Sequence, residues 1–250
     1  MPEGTTLFLL GAVRCEVDSA EHLLHGEQPR ILLTFLGWQP DLPVTGDELS
    51  EAIWGTADAG YSPASFRKVV SKVRAFLSDN LGEVVRVENI GGCYRCTNHG
   101  AAQIDLAVAT DSLARAEALR RDGRIEDALE PAGRATDLLR APLLPGIDRE
   151  WLQVRRAELH RLRRRALCLT SQIESHLGAH DDGIAHATEA VSLDPFDEGS
   201  HRALISAHLA ADDNGGAIVA YEACRRVLFD EFGIRPSAAT NNLHDRALGN

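Results

Sequence analysis

A repeated helical pattern occupies the second half of the chain. Residues 182–190 align with residues 216–224 at a spacing of 34 residues, and residues 127–135 give a third copy, set apart by an irregular insertion around residues 141–148. A repeat of this length holds one pair of helices, which buries its apolar face only against neighbouring pairs. From Gln103 onward the sequence therefore predicts stacked helix pairs and no strand.

The length of the period indicates the type of repeat. Thirty-four residues is the period of the tetratricopeptide repeat, so residues 101–250 are expected to form an all-α, tetratricopeptide-like domain. A small residue occupies the same position in each copy: Ala128, Gly183 and Ala217. The apolar residue that follows each of them, such as Leu129, is expected to fill the seam between helices, and Pro131 is expected to kink or shorten its helix.

The first 100 residues mix strand and helix signals. Apolar and polar residues alternate over residues 13–18, which is the pattern of a half-buried strand. A helix is expected near residues 28–38. Thr45 and Glu48 have the spacing of a capping box, which predicts that a second helix begins there, and Gly55 suits its C-terminal end.

The third predicted helix separates apolar from basic residues. Ser62 is a favourable N-cap, and Pro63 suits the first helical position. At 100° per residue, one arc holds the apolar positions Phe66, Val69, Val70, Val73, Phe76 and Leu77. The opposite arc holds the candidate DNA-binding residues Arg67, Lys68, Ser71, Lys72 and Arg74. This helix is therefore expected to dock by one face and to present cations on the other, although a basic stripe is often only a solvated face.

A β-hairpin is expected after this helix. Residues 84–87 and 93–97 flank a turn at residues 89–92 that contains two glycines. Strands, three helices and a terminal hairpin predict an N-terminal winged helix-turn-helix domain (α+β) over residues 1–100, so the whole chain is expected to be mainly α. Because a helix fits the major groove of DNA, the third helix is expected to enter it. The hairpin would then lie beside the groove, so Arg86 and Arg95 are expected to contact the adjoining DNA backbone or minor groove.

The charge distribution agrees with this location for a DNA-binding surface. The formal net charge of −11 argues against nucleic acid for the chain as a whole. Residues 1–60 hold two basic and ten acidic side chains, whereas residues 61–97 hold six basic and three acidic ones. The remainder returns to a deficit, with 18 basic and 24 acidic residues. The cations are thus concentrated on the third helix and the hairpin.

Several short stretches resemble the Streptomyces antibiotic regulatory proteins, also called bacterial transcriptional activator domain proteins. The matching stretches are Glu51–Gly55, Val70–Arg74, Leu143–Gly146, Ala220-Tyr221 and Glu231–Pro236. Their order agrees with that of the family, and the resemblance covers nearly the whole chain. One position departs from the family: Cys93 stands where relatives usually have glycine before the wing tyrosine.

The resemblance implies a transcriptional activator. Members bind double-stranded promoter DNA at direct repeats, often as two protomers, recruit the RNA polymerase holoenzyme, and in many cases control secondary metabolism. The resemblance places Ser71, Lys72 and Arg74 at the DNA and Tyr94-Arg95 at the end of the wing. The five widely spread cysteines and the lack of an export signal predict a cytoplasmic protein with reduced thiols. The ATPase or phosphopeptide-binding modules of larger relatives are not expected in this sequence.

Other functions have less support in the sequence. It contains no glycine-rich phosphate loop, no metal-ligand set and no nucleophile with an evident base, so neither an enzyme nor a cofactor site is expected. Cys93 and Cys96 are the one candidate redox or metal pair, but on a strand they point to opposite faces. No apolar run is long enough to span a membrane. A protein-interaction scaffold with weak or no DNA affinity, and a regulator that senses a ligand in the repeat groove, are the alternatives.

Arginines are concentrated in one predicted long helix: Arg155, Arg156, Arg161, Arg163, Arg164 and Arg165. Glu150 and Glu158 lie close to them in sequence. A charge run of this kind is usually a solvated face with weak ion pairs, and this is the interpretation the sequence favours. A partner-binding face is the alternative.

Overall fold

The computed structural model describes residues 4–55, 62–99 and 102–249. Two units, each with its own core, are present. The first consists of residues 1–108 and 141–158, apart from the positions not described, and the second consists of residues 109–140 and 159–250. The functional division between residues 100 and 101 stays a prediction.

The first unit begins with a small sheet whose strand order is β3-β2-β1-β7. Its strands are β1 (Thr6–Phe8), β2 (Arg14–Val17), β3 (Ala20–Leu23) and β7 (Gln103–Ile104). β1 pairs antiparallel with β2 and parallel with β7. The prediction that no strand follows Gln103 is therefore wrong. A two-residue strand has no detectable period, and its pairing partner lies almost 100 residues away in the sequence.

Three helices and a second sheet complete the winged helix. The helices are α1 (Glu27–Trp38), α2 (Gly46–Trp54) and α3 (Pro63–Leu81). The second sheet has the order β4-β6-β5 and consists of β4 (Val44–Thr45), β5 (Val85–Ile90) and β6 (Cys93–Asn98). Leu7, Leu32, Leu49, Ile53 and Val73 are almost completely buried in the core of this unit. The predicted winged helix-turn-helix is confirmed.

Local hydrogen bonds determine where α2 and α3 begin. The Thr45 hydroxyl accepts from the backbone N–H of Glu48, and the Glu48 carboxylate accepts from the backbone N–H of Thr45 at 2.8 Å. These bonds to Thr45 lower the pKa of Glu48. The Ser62 hydroxyl accepts from the backbone N–H of Ser65 in the same way. Both helix starts are therefore encoded within four residues.

The irregular insertion and the start of the next helix belong to the first unit. The backbone N–H of Gly11 donates to the Pro142 carbonyl at 2.7 Å. The Trp151 indole N–H donates to the Ala52 carbonyl at 3.1 Å, and the ring packs edge-on against Phe35 with centroids 4.9 Å apart. A segment between two predicted helical repeats is thus part of the winged-helix core.

A buried carboxylate joins the residues that follow β1 to those that follow β7. The Asp105 side chain accepts the backbone N–H groups of Leu9 (3.0 Å), Leu10 (2.9 Å) and Leu106 (2.8 Å). Burial raises the pKa of Asp105, while these hydrogen bonds oppose the rise. The carboxylate satisfies buried backbone donors that follow β1 and β7 and that would otherwise lack partners in the protein interior.

Replacing Asp105 with alanine should destabilise the first unit. The substitution removes the acceptor for three buried N–H groups, so we expect a loss of about 3 kcal/mol in the free energy of unfolding. Trp38, Trp54 and Trp151 all lie in this unit, so urea unfolding followed by tryptophan fluorescence measures it directly. Asp111→Ala, at an exposed position of the helix that begins at Asp105, is the control. Equal midpoints for the two variants would contradict this role of Asp105.

The second unit is helical throughout its described residues. Its helices are α4 (Asp105–Arg121), α5 (Ile125–Leu139), α6 (Glu150–His176), α7 (His180–Leu193), α8 (Glu198–Ala210), α9 (Asn214–Phe232) and α10 (Ala238–Ala247). The first residues of α4 and of α6 belong to the first unit. α7 and α9 carry the two copies that are spaced by 34 residues, and the α10 residue Ala247 packs with Ile205, Ala217 and Tyr221. The predicted tetratricopeptide-like architecture is confirmed.

Small residues form the close contacts between these helices. Ala128, Gly183 and Ala217 are all buried, as the repeat predicts. One finer expectation is wrong: Leu129 is 39% exposed, so it does not fill a seam. α5 continues through Pro131 and is not shortened there, and a kink at this residue stays a prediction. Pro131 is buried, and tertiary packing of this kind outweighs local helix preferences.

Gly183 is the most restrictive of these positions. A Cβ at residue 183 would lie 2.5 Å from the Ser175 hydroxyl oxygen and 3.0 Å from the Ser171 carbonyl oxygen. We expect Gly183→Ala to destabilise the second unit by about 1–3 kcal/mol through overpacking. Gly133→Ala on α5 is the matched control, since nothing lies within 4 Å of its added Cβ, and it should be neutral or stabilising by up to about 1 kcal/mol. Thermal unfolding followed by circular dichroism compares the two, and an equal effect would contradict the packing argument.

No helix of the described chain combines the length and apolarity that crossing a bilayer requires.

Candidate DNA interface

The two faces of α3 have different surroundings. Its buried residues are Phe66, Val69, Val70, Val73, Leu77 and Leu81. The candidate residues Arg67, Lys68, Ser71, Lys72 and Arg74 are all exposed. The apolar face therefore anchors the helix and leaves the cationic face toward solvent. This arrangement brings together five of the seven residues that the sequence predicts as a site.

Three of these side chains are unpaired cations. Arg67, Lys68 and Lys72 form no ion pair with any residue that the structure describes. An unpaired surface cation remains available to a phosphate, because no internal carboxylate competes with the ligand. The arrangement concentrates positive charge on one helix face in a chain whose net charge is negative.

Arg74 has a different environment. Its Nε donates to the backbone carbonyl of Val87 at 2.8 Å, so the side chain ties α3 to strand β5. The guanidinium still has further N–H donors. Arg74 therefore positions the hairpin relative to the cationic face of α3, a role that the helical pattern does not reveal.

Removing the Arg74 side chain should destabilise the first unit, whereas removing the nearby Lys72 side chain should not. We expect Arg74→Ala to lower the free energy of unfolding of the first unit by about 1 kcal/mol, because the hydrogen bond to the carbonyl of the buried residue Val87 is lost. Lys72→Ala, one turn or less away, should change it by less than about 0.5 kcal/mol. Urea unfolding followed by tryptophan fluorescence measures both. A loss for Lys72→Ala as large as that for Arg74→Ala would refute the distinction.

The hairpin turn has the geometry that its glycines allow. Ile90 pairs with Cys93, which leaves Gly91 and Gly92 as a two-residue turn with φ angles of 61° and 89°. The Asn89 side chain accepts the backbone N–H of Gly92 at 3.2 Å. Positive φ at both central positions matches the twist of the flanking strands, so the wing is a tight hairpin.

The two wing arginines are paired within the hairpin region. Arg86 forms an ion pair with Glu83, and its Nε donates to the Glu83 carbonyl at 3.0 Å. Arg95 donates to the Glu88 carboxylate on the facing strand at 2.8 Å. Both remain partly exposed, and their contact with DNA stays a prediction. These carboxylates compete with any phosphate for the same guanidinium groups.

Aromatic packing orients the wing on the start of α3. The Phe66 ring meets the Tyr94 ring edge-on, with centroids 5.4 Å apart, and lies 6.3 Å from the Trp54 ring. Tyr94 is thus a packing residue between β6 and α3, and the turn itself lies at Gly91 and Gly92. Sequence analysis missed this contact, since it joins residues of three separate elements.

The cysteines of the hairpin are unpaired thiols. Cys93 is half-buried, whereas Cys96 is fully buried, and burial, aided by the charge of Asp41, raises the pKa of Cys96 to about 12. A thiol with so high a pKa stays protonated at neutral pH and is a poor nucleophile. Among the described residues, no group of three or more His, Cys, Asp or Glu side chains is arranged to hold a metal ion.

Comparison with known proteins assigns this arrangement to a family. The bacterial transcriptional activator domain family matches residues 104–248, which is more than half of the chain. The chain belongs to this family. The regulatory protein AfsR of Streptomyces coelicolor is 28% identical over 240 residues, which are 96% of this chain and 24% of AfsR. AfsR of Streptomyces griseus is 25% identical with the same coverage.

The chain spans about a quarter of the length of these curated relatives. A solved structure of Mycobacterium tuberculosis EmbR, in complex with a low affinity phosphopeptide, has the same fold, with a TM-score of 0.86 over 98% of this chain and 65% of that chain at 22% identity. Together these matches confirm the resemblance to the Streptomyces antibiotic regulatory proteins, which are transcriptional regulators.

Proposed function

We propose that this protein binds promoter DNA through the exposed face of α3 and regulates transcription. The observation that carries the proposal is the set of cations Arg67, Lys68 and Lys72 on one exposed helix face of a winged helix, none of which forms an ion pair with a residue that the structure describes. Such a helix fits the major groove of B-DNA, where its side chains reach phosphates and base edges. Neutralising phosphates releases counterions, which drives binding most strongly at low salt.

The candidate residues have different roles in this proposal. Arg67, Lys68 and Lys72 neutralise phosphates and set the position of the helix on the duplex. Ser71 lies between them on the exposed face and is short enough to bring a hydroxyl to a base edge. Arg74 aligns the wing through its bond to Val87, and its remaining N–H groups face the DNA. Arg86 and Arg95 contact the adjoining backbone after exchanging their internal carboxylates for phosphate.

Activation at the promoter completes the proposed function. Family membership supports binding at direct repeats by two protomers and recruitment of the RNA polymerase holoenzyme, for secondary metabolism among other targets. The winged helix supplies the DNA contact, and the helical repeats supply a separate surface for a protein partner. This proposed function requires no catalytic step by the chain itself.

The test is DNA binding across a salt series. Fluorescent duplexes taken from upstream of the protein's own gene and its neighbours are titrated with the wild type and with an Arg67→Ala, Lys72→Ala double variant. Because each lost phosphate contact removes about 0.9 from the slope of log K against log salt, we expect the slope to become shallower by about 2. Affinity at low salt should fall for every sequence tested.

The matched control removes two arginines from a surface outside the winged helix. Arg120→Ala combined with Arg121→Ala changes the net charge equally at the exposed end of α4. This control should bind as the wild type does. If the wild type binds neither selected nor random DNA at low salt, or if the control loses as much affinity as the α3 variant, the proposal fails.

A further inference from the structure

The arginine-rich part of α6 contains residues with different roles. Arg156 donates to the backbone carbonyls of Leu143 (3.1 Å), Leu144 (2.8 Å) and Ile147 (2.7 Å), and so holds the irregular insertion in place. A solvated face is therefore the wrong description for this residue. About one and a half to two and a half turns further along the helix, Arg161, Arg163, Arg164 and Arg165 belong to the second unit and have different surroundings.

Arginines line a groove in the second unit. The groove has a volume of about 630 Å³ and lies between α6, α8 and the middle of α10, at Leu243. Its guanidinium groups belong to Arg161, Arg164, Arg165 and Arg202, and the one acidic side chain that lines it is Asp197. α6, α8 and α10 are alternate helices of the repeat array, and stacked helix pairs present extended binding surfaces of this kind.

Two of these arginines already bind carboxylates of the chain. Arg164 pairs with Asp194 and, at 3.4 Å, with Asp197, while Arg165 makes a two-pronged contact with Glu117. These pairs hold neighbouring helices in register and use the planar geometry by which guanidinium recognises carboxylate. The groove therefore contains guanidinium groups that are held in place before any ligand arrives.

The other two arginines, Arg161 and Arg202, make weak or no ion pairs within the described chain. Arg161 is exposed and forms no ion pair with any residue in the described part of the chain. Arg202 has only a long contact of 3.8 Å to Glu198, whose carboxylate also accepts hydrogen bonds from Ser237 and Thr240. Both side chains can turn to a carboxylate from outside at little cost to the fold.

The lining between the arginines favours a peptide over a nucleic acid. Cys168, Ala203 and Leu243 present small or apolar surface inside the groove. The volume is sufficient for a few amino-acid side chains, which combine apolar and anionic groups along one strand. A duplex offers only its phosphate surface and does not fill such a recess.

We infer that this groove binds an acidic segment of a partner protein, with Arg161 and Arg202 as the ligand-binding cations. Alternating apolar and acidic side chains match its lining: carboxylates reach Arg161 and Arg202, while apolar groups contact Leu243 and Ala203. The net charge of −11 disfavours acidic peptides on most of the surface outside α3, so this groove gives the second unit a specific surface for them.

The test uses a fluorescein-labelled oligo-glutamate peptide interrupted by leucines, and its glutamine counterpart, in fluorescence anisotropy. The wild type should bind the glutamate peptide and not the glutamine one. An Arg161→Ala, Arg202→Ala double variant should bind it about tenfold more weakly or worse, since two charge-assisted contacts are lost. Arg226→Ala, which removes an exposed arginine of α9 outside the groove, should bind as the wild type does.

Other outcomes overturn the inference. If Lys72→Ala abolishes peptide binding and the groove variant does not, the peptide binds α3 instead. If the groove variant loses affinity for duplex DNA and keeps its affinity for the peptide, the groove serves nucleic acid. Equal binding of the glutamate and glutamine peptides, or no binding, also contradicts the inference. Loss of DNA binding in the α3 variant alone does not affect the inference about the groove. The proposal that α3 binds DNA and the inference that the groove binds an acidic peptide can therefore fail independently.

Cys168 provides a second measurement at the groove itself. Of the five cysteines only Cys93 and Cys168 are not fully buried, so in a Cys93→Ser chain Cys168 is the accessible thiol. Burial raises the pKa of Cys168, and labelling with a maleimide is therefore performed at alkaline pH. Bound glutamate peptide should slow the labelling of Cys168 severalfold in this chain, and no protection at saturating peptide would contradict occupancy of the groove.

Discussion

Burial of the apolar stripe of α3 is the constraint on which the proposed DNA contact depends. The helix can bury its apolar residues together in only one rotational setting about its own axis. These buried residues are Phe66, Val69, Val70, Val73, Leu77 and Leu81. That rotational setting places Arg67, Lys68 and Lys72 in solvent, where no described residue forms an ion pair with them. The electrostatic surface is thus a consequence of hydrophobic packing, and the strands, capping boxes and wing serve to hold the helix in that setting.

Arginine has at least three roles in this molecule, and its surroundings decide which role each one takes. Arg156 satisfies backbone carbonyls of an irregular segment, and Arg74 ties a helix to a strand. Arg164 joins repeat helices through carboxylates. Arg67 and Arg161 form no ion pair within the described ranges of the chain and are available to a ligand. A guanidinium with five donors can serve any of these purposes, so counting arginines along the sequence does not indicate which of them form a site.

Features that depend on nearby residues were predictable. The capping boxes at Thr45 and Ser62, the two faces of α3 and the glycine turn of the wing all follow from residues within one or two helical turns of each other. The repeat was detectable because buried small residues recur at Ala128, Gly183 and Ala217. The exposure of Leu129 was not predictable, since a neighbouring helix decides whether an apolar side chain is covered.

The sequence by itself determined where α2 and α3 begin, where the wing turns, and how cations and apolar residues separate on α3, because these features result from local hydrogen bonding and periodicity. Only the tertiary structure decided which of the candidate cations form ion pairs with other described residues. It also placed the insertion around residues 141–148 in the winged-helix unit, and it formed the groove from three separate stretches, residues 161–172, residues 197–206 and Leu243. Contacts over such separations depend on the whole set of packed elements, and no local pattern records them.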